Sequence, residues 1–164
     1  MYVCEFKVRA NAEQRRAIDE AIRTAGFIRN KCLRLWMDVR GTGKAEMSAY
    51  CAVLAKEFSF AKTLNSMARQ ASAERAWVAV SRFYVNCKQG IRPVGYPKFK
   101  KDGRSVEYKT TGWRLLDPKR IQFTDGKGIG RLKLIGTWDL AQVPTELIKG
   151  RRLIHRAAGY YCQF

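Results

Sequence analysis

Histidine is almost missing: His155 stands alone among 164 residues. That excludes, within this chain, a site built on two histidine ligands and a mechanism pairing a histidine base with a histidine acid. Between arginines, in Arg151-Arg152-Leu153-Ile154-His155-Arg156, it reads as a surface or barrel residue of a strand. Acidic residues are scarce, 14 against 32 basic ones, and no pair stands at a spacing that marks a metal site for phosphodiester cleavage. Asp117, Asp125 and Asp139 fall near predicted turns, where Asp bends the backbone. No apolar run approaches the ~20 residues that cross a bilayer. The opening residues, Met1 to Lys7, lack the basic stretch and apolar run of a secretory signal. The cysteines (Cys4, Cys32, Cys51, Cys87, Cys162) form no C-x-x-C pair, so buried cytosolic thiols are the expectation. Gly41-Thr42-Gly43-Lys44 fails as a phosphate loop, because Asp38 and Ala45 stand where Gly and Ser or Thr are required; an interhelical loop is expected there.

What the chain has in excess is positive charge, a formal net of +18. Self-repulsion at that level destabilises a compact state and a polyanion relieves it, which points first to nucleic acid. The charge is heavier in the second half: residues 86–164 hold 17 of the basic side chains and 6 of the acidic ones.

Tyr2, Cys4, Phe6 and Val8 alternate with Val3, Glu5, Lys7 and Arg9, which predicts a strand. Asn11 and Gln14 form a capping-box pattern that starts a helix. Ala17, Ile18, Ala21, Ile22 and Ala25 make its face, and Gly26 is expected to end it. Phe27 to Val39 predicts a second helix, Met47 to Phe58 a third, and Thr63 to Lys88 a fourth. After Gly90 the pattern changes to strands at Ser105–Lys109, Arg120–Thr124, Arg131–Ile135, Arg152–Ala157 and Tyr160–Phe164. An opening strand cannot stand alone, so it is expected to pair with the late ones. The fold class is therefore α+β, a small β-barrel interrupted by an inserted helical bundle.

The segment Lys88 to Trp113 interleaves Lys88, Arg92, Lys98, Lys100, Lys101, Arg104 and Lys109 with Tyr96, Phe99, Tyr108 and Trp113. Cations contact phosphates and rings stack on bases, so this mixture suits a nucleic-acid groove. Its Gly and Pro content argues against a membrane-surface helix. Pro97 favours an extended chain, which would point Lys98 and Lys100 to one side and Phe99 to the other, with Phe99 anchored in the barrel.

Gly95-Tyr96-Pro97-Lys98-Phe99-Lys100-Lys101 closely resembles the G-[FY]-P-[KR]-F-[KR] motif of the TnpB proteins, transposon-encoded RNA-guided DNA nucleases related to type V CRISPR effectors. Lys7 to Gln14, Phe27 to Leu33, Gly130 to Leu134 and Gly159 to Tyr161 resemble further segments of the N-terminal part of that family. Ala10, where the family usually has Pro, and Arg29, where it has an aromatic, depart from it. The resemblance implies an OB-like wedge barrel whose first strand is 1–10, a helical recognition lobe over 11–89, and a basic linker with the rest of the barrel over 90–164. The chain reaches Phe164 without the RuvC-type nuclease domain and zinc ribbon with which the family continues.

The implied function is a nucleic-acid-binding module. It would hold guide RNA, recognise a short target-adjacent DNA motif and lie beside the guide–target heteroduplex. No catalytic or metal residue is expected in this chain, no cofactor (Mg²⁺ belonging to the missing RuvC domain), and no enzymatic activity of the chain alone. The implied partners are guide RNA, target DNA and a separate RuvC-containing polypeptide, in the prokaryotic cytoplasm, with no membrane. The positions expected to touch nucleic acid are Arg9, Asn30, Ser66, Arg69, Gln70, Lys98, Lys100, Lys101, Arg104, Tyr108, Lys109, Thr111 and Trp113. By the resemblance the family's motif-reading residues fall near Ser66, Gln70 and Thr111, and a Gln amide can make two hydrogen bonds to adenine. The alternatives are a nuclease-dead RNA-guided transcriptional repressor and a plain structured-RNA-binding protein.

Overall fold

A computed structural model describes residues 3–137 and 139–164. The element order is β1 (Glu5–Arg9), α1 (Ala12–Asp38), α2 (Lys44–Glu57), α3 (Ser59–Lys62), α4 (Ser66–Lys88), β2 (Ser105–Tyr108), β3 (Trp113–Asp117), β4 (Arg120–Phe123), β5 (Gly130–Ile135), β6 (Arg151–Arg156) and β7 (Gly159–Gln163). The fold is α+β. The strands form one seven-stranded antiparallel sheet in the order β2-β6-β7-β1-β5-β4-β3. β1 lies mid-sheet: Phe6 pairs with Cys162 of β7, and Val8 pairs with Leu134 of β5. The opening strand thus pairs with late strands, as its alternation requires, and Phe6 and Val8 are its buried residues. Tyr2, placed on that strand by its pattern, lies outside the described residues.

α1 begins at the expected capping box. Asn11 Oδ1 accepts from Gln14 N at 2.8 Å, and Gln14 Oε1 accepts from Asn11 N at 3.1 Å. The same Gln14 amide donates to Ile129 O and Arg131 O, so the cap also ties the helix to the sheet. Gly26 does not end this helix. A single 27-residue helix runs through it, about 40 Å long at 1.5 Å per residue, because Ile18, Ala21, Ile22, Ala25, Ile28, Cys32 and Leu33 keep one buried face across the glycine. The cost of one Gly, about 1 kcal/mol, is small beside that burial. The chain instead breaks at residues 39–43, where Gly41 adopts φ +84° and Thr42 Oγ1 donates to Val39 O. The Gly-Thr-Gly-Lys segment is an interhelical loop leading into α2.

The helix expected from Thr63 starts at Ser66, after the short turn of α3, and Asn65 caps it by accepting from Met67 N and Ala68 N. α4 buries Ala68, Ala71, Ser72, Ala73, Ala76 and Val80. Small residues let α1 and α2 pack closely on it. One continuous apolar core joins these helices to Phe6, Val106, Tyr108, Ile121, Phe123, Leu132 and Leu153 of the sheet.

Two further expectations are corrected. A strand, β3, stands where the sequence pattern marks none, because Trp-Arg-Leu-Leu-Asp is half-buried on alternate residues and exposed between them, a weak contrast at a sheet edge. Cys87 is exposed, although Cys32, Cys51 and Cys162 are buried as free thiols. Asp117, Asp125 and Asp139 do bend turns: each accepts from the backbone N–H two residues on, at Lys119, Lys127 and Ala141. Among the described residues no helix is long and apolar enough to cross a membrane.

Candidate nucleic-acid interface

From Arg75 through Lys101 the chain carries seven basic residues and no acidic one. The last part of this stretch is an irregular strap that α1 holds by its backbone. Arg29 Nη1 donates to Lys98 O at 3.1 Å, Asn30 Nδ2 donates to Lys100 O at 2.8 Å, and Lys100 N donates to Asn30 Oδ1 at 3.1 Å. Pro97 is buried, whereas Lys98, Phe99, Lys100 and Lys101 are exposed. The strap is therefore anchored by the buried Pro97 and by the backbone bonds of Lys98 and Lys100. Phe99 is 47% exposed, which corrects the expectation that it plugs the core.

The strap forms one wall of an open groove of about 860 Å³. α1 contributes Asp19, Ile22, Arg23, Gly26, Phe27 and Asn30; the strap contributes Phe99 through Arg104; and β6 contributes His155 and Arg156. Lys100, Lys101 and Arg104 set the sign of the groove; its other two arginines are ion-paired, Arg23 with Glu20 at 2.9 Å and Arg156 with Glu5 at 2.7 Å. Its carboxylates are Asp19 and Asp102, and Asp19 is engaged from two sides. His155 Nδ1 lies 2.8 Å from Asp19 Oδ1, and the Tyr160 hydroxyl donates to Asp19 Oδ2 at 2.7 Å. The imidazole stacks on the Tyr160 ring at 4.1 Å. Burial, and then the bond to Asp19, push the Tyr160 hydroxyl up to about 12. His155 is thus a clip between the sheet and α1 at the groove floor. Its backbone N–H donates to Arg104 O, fixing the far end of the strap.

Lys98, Lys100, Lys101 and Arg104 come together as exposed cations along one segment. Asn30 lies beside them, and its amide is occupied in positioning Lys100. Thr111 lies near the start of α4: Ser66 opens that helix, and the Thr111 hydroxyl exchanges hydrogen bonds with the preceding cap residue, Asn65. Gln70 lies one turn beyond Ser66, but its amide joins α4 to α2, donating to Ser48 O at 3.1 Å and accepting from the Ser48 hydroxyl. The Arg69 guanidinium caps α3, donating to Ala61 O, Lys62 O and Leu64 O. Lys109 is ion-paired with Glu74.

Tyr108 is fully buried, its hydroxyl donating to Asp125, so it offers no ring face to a ligand. Trp113 has one face covered by the Arg151 guanidinium at 3.5 Å. Arg9 is exposed on β1, with Lys133 of β5 as its register partner.

Arg23, Phe27 and Arg156 line the groove although the sequence pattern does not single them out, and the same holds for Arg29 in its role of holding the strap. Nothing in their local sequence marks them, since each matters only through a partner 69 or more residues away or through the groove's shape. Among the described residues no group of three His, Cys, Asp or Glu side chains gathers to hold a metal. No family model matches the chain, and no curated protein matches it either.

Proposed function

We propose that the chain is a nucleic-acid-binding module of the RNA-guided nuclease type. It holds structured guide RNA along the basic strap and reads a short DNA motif beside the target, in the cytosol or nucleoid. The observation that carries this reading is the strap itself. Lys98, Lys100, Lys101 and Arg104 are exposed; Arg29 and Asn30 hold the backbone at Lys98 and Lys100, His155 N–H holds it at Arg104, and the last three cations sit with an exposed Phe99 in a groove whose carboxylate Asp19 is already engaged. Fixed cations next to an open ring face are what a phosphate backbone with unpaired bases takes. The clustering of Ser66 and Thr111 around Asn65 supports a motif-reading corner at the start of α4.

The sheet also supports a barrel with the helices as its insertion. The two ends of the sheet come together: Arg151 of β6, the neighbour of edge strand β2, stacks on Trp113 of the other edge strand, β3, at 3.5 Å, and Tyr108 of β2 lies against Phe123 of β4 at 4.9 Å.

A salt titration of RNA binding tests the proposal. With ~6 phosphates contacted, log K against log salt has a slope near −4, and Lys100→Ala with Lys101→Ala reduces its magnitude by about 1.4. Equal affinity for random duplex DNA, or a slope near zero, would overturn it.

A further inference from the structure

A second surface lies at the other end of the strap. Four aromatic rings from three separate segments converge there: Trp36 near the end of α1, Phe83 and Tyr84 near the end of α4, and Tyr96 just before the buried Pro97. The Tyr96 centroid lies 5.6 Å from that of Trp36 and 5.2 Å from that of Phe83. The Trp36 indole N–H donates to the Tyr84 hydroxyl at 2.7 Å, which locks the two side chains together. Yet the cluster is not sealed: Tyr84 is 48% exposed and Tyr96 51%.

Aromatic rings held rigid by each other and still half in water lose hydrophobic stabilisation that a ligand would recover. The charge around them limits what that ligand is. Lys88 follows Tyr84 at i+4 on the same helix face. Arg92 and Lys98 flank Tyr96 in sequence, and all three cations are exposed. The nearest carboxylate on α1, Asp38, is taken by Arg34 at 2.9 Å. A protein partner would meet a rim of one sign, whereas rings bordered by cations match bases joined by phosphates.

We propose that Trp36, Phe83, Tyr84 and Tyr96 form a platform on which unpaired bases of a single-stranded segment stack, while Lys88, Arg92 and Lys98 hold its phosphates. This rests on the nucleic-acid reading above; its four rings lie outside the groove lining, and Lys98, next to Pro97, is the one cation that both surfaces use. Pro97 divides the strap, so that Tyr96 serves the platform and Phe99 the groove.

The test is binding of an oligouridine RNA of about ten nucleotides, and of the same strand with abasic sites, to wild type, Tyr96→Ala and Tyr96→Phe, with a thermal melt of each. Tyr96→Ala is expected to weaken the base-bearing strand about tenfold, with Tyr96→Phe within about twofold of wild type; Tyr96→Phe should melt as wild type does and Tyr96→Ala only a few degrees lower, still fully folded at the temperature of the binding assay. The abasic strand should bind wild type and Tyr96→Ala alike. The salt slope should stay the same, because no phosphate contact is removed. Unchanged affinity in Tyr96→Ala overturns the platform. So does an equal loss on the abasic strand, or a change in oligomeric state without a change in RNA affinity. If Lys100→Ala with Lys101→Ala weakens binding while Tyr96→Ala does not, the groove reading survives and the platform falls. If wild type binds neither strand nor structured RNA, both fall.

Discussion

Among the described residues Arg151 is the largest fully buried side chain, and its Nε and Nη2 have no hydrogen-bond partner. It lies between Trp113 at 3.5 Å and Phe164 at 4.4 Å, and burial brings its pKa down to about 10 from 12.5. A lowered pKa on a cation means that the unfolded chain holds this proton more tightly. The penalty is therefore present in full below about pH 10 and is relieved as pH rises from there towards 12.5. Arg151→Met keeps the stem and removes the charge, so at pH 7 the denaturation midpoint should hold or rise, by roughly 1 kcal/mol. A clear fall would mean that stacking on the two rings outweighs desolvation. Phe99→Ala should change stability by less than about 0.5 kcal/mol in a melt, as for other exposed side chains, while weakening RNA binding. Gln70→Ala should do more to the fold than its place in the second turn of α4 suggests. It removes the amide that bonds Ser48, and a loss of about 1 kcal/mol in urea unfolding is expected.

At the scale of elements, α1 organises the molecule. One helix carries the cap that binds Ile129 and Arg131 at its start, Asp19 facing His155, Arg29 and Asn30 on the strap, and Trp36 under the aromatic cluster. These sites are spaced along one rigid rod, which is why the break expected at Gly26 would have mattered. Gly26 has helical geometry and open space where a Cβ would stand, so Gly26→Ala should stabilise the protein by about 0.5–1 kcal/mol in chemical denaturation. Gly26 also lines the groove, and a bound backbone that approaches closely there would lose affinity in the same variant. A fall in stability would instead show that the helix does not run straight through this position.

For the whole molecule, the net charge of +18 is the property that most shapes its behaviour in solution. Several of the ion pairs that form among the described residues are exposed, as in Arg23–Glu20, Arg34–Asp38 and Arg120–Asp117. Such pairs add little to stability. With 14 acids for 32 bases, most of the cations have no acid to meet. Structured RNA at about 100 times its Kd should therefore stabilise the fold by ~2.7 kcal/mol, a rise in Tm of about 5–10 °C. The rise should vanish in 1 M salt, where counterion release no longer drives binding. A Tm that ignores RNA at low salt would argue against a polyanionic partner.

The sequence alone determined what depends on neighbours along the chain. The alternation of β1, the Asn11–Gln14 cap and the three Asp turns are settled within a few residues, and each stands in the structure as its pattern requires; the continuity of α1 through Gly26 is not, because burial on both sides of the glycine decides it. The excess of cations in the strap is equally a property of composition. Tertiary structure alone decided which of those residues are free. Gln70, Arg69, Asn30 and Lys109 carry polar groups fit for nucleic acid, yet Ser48, the carbonyls of Ala61, Lys62 and Leu64, Lys100 and Glu74 take them up. Phe99 and Tyr108 have similar sequence surroundings and opposite fates, one 47% exposed and the other fully buried. A hydrogen-bond donor or a ring face is available only if no folded neighbour reaches it first, and those neighbours lie up to 70 residues away. Proximity of that kind is set by packing, and no local pattern encodes it.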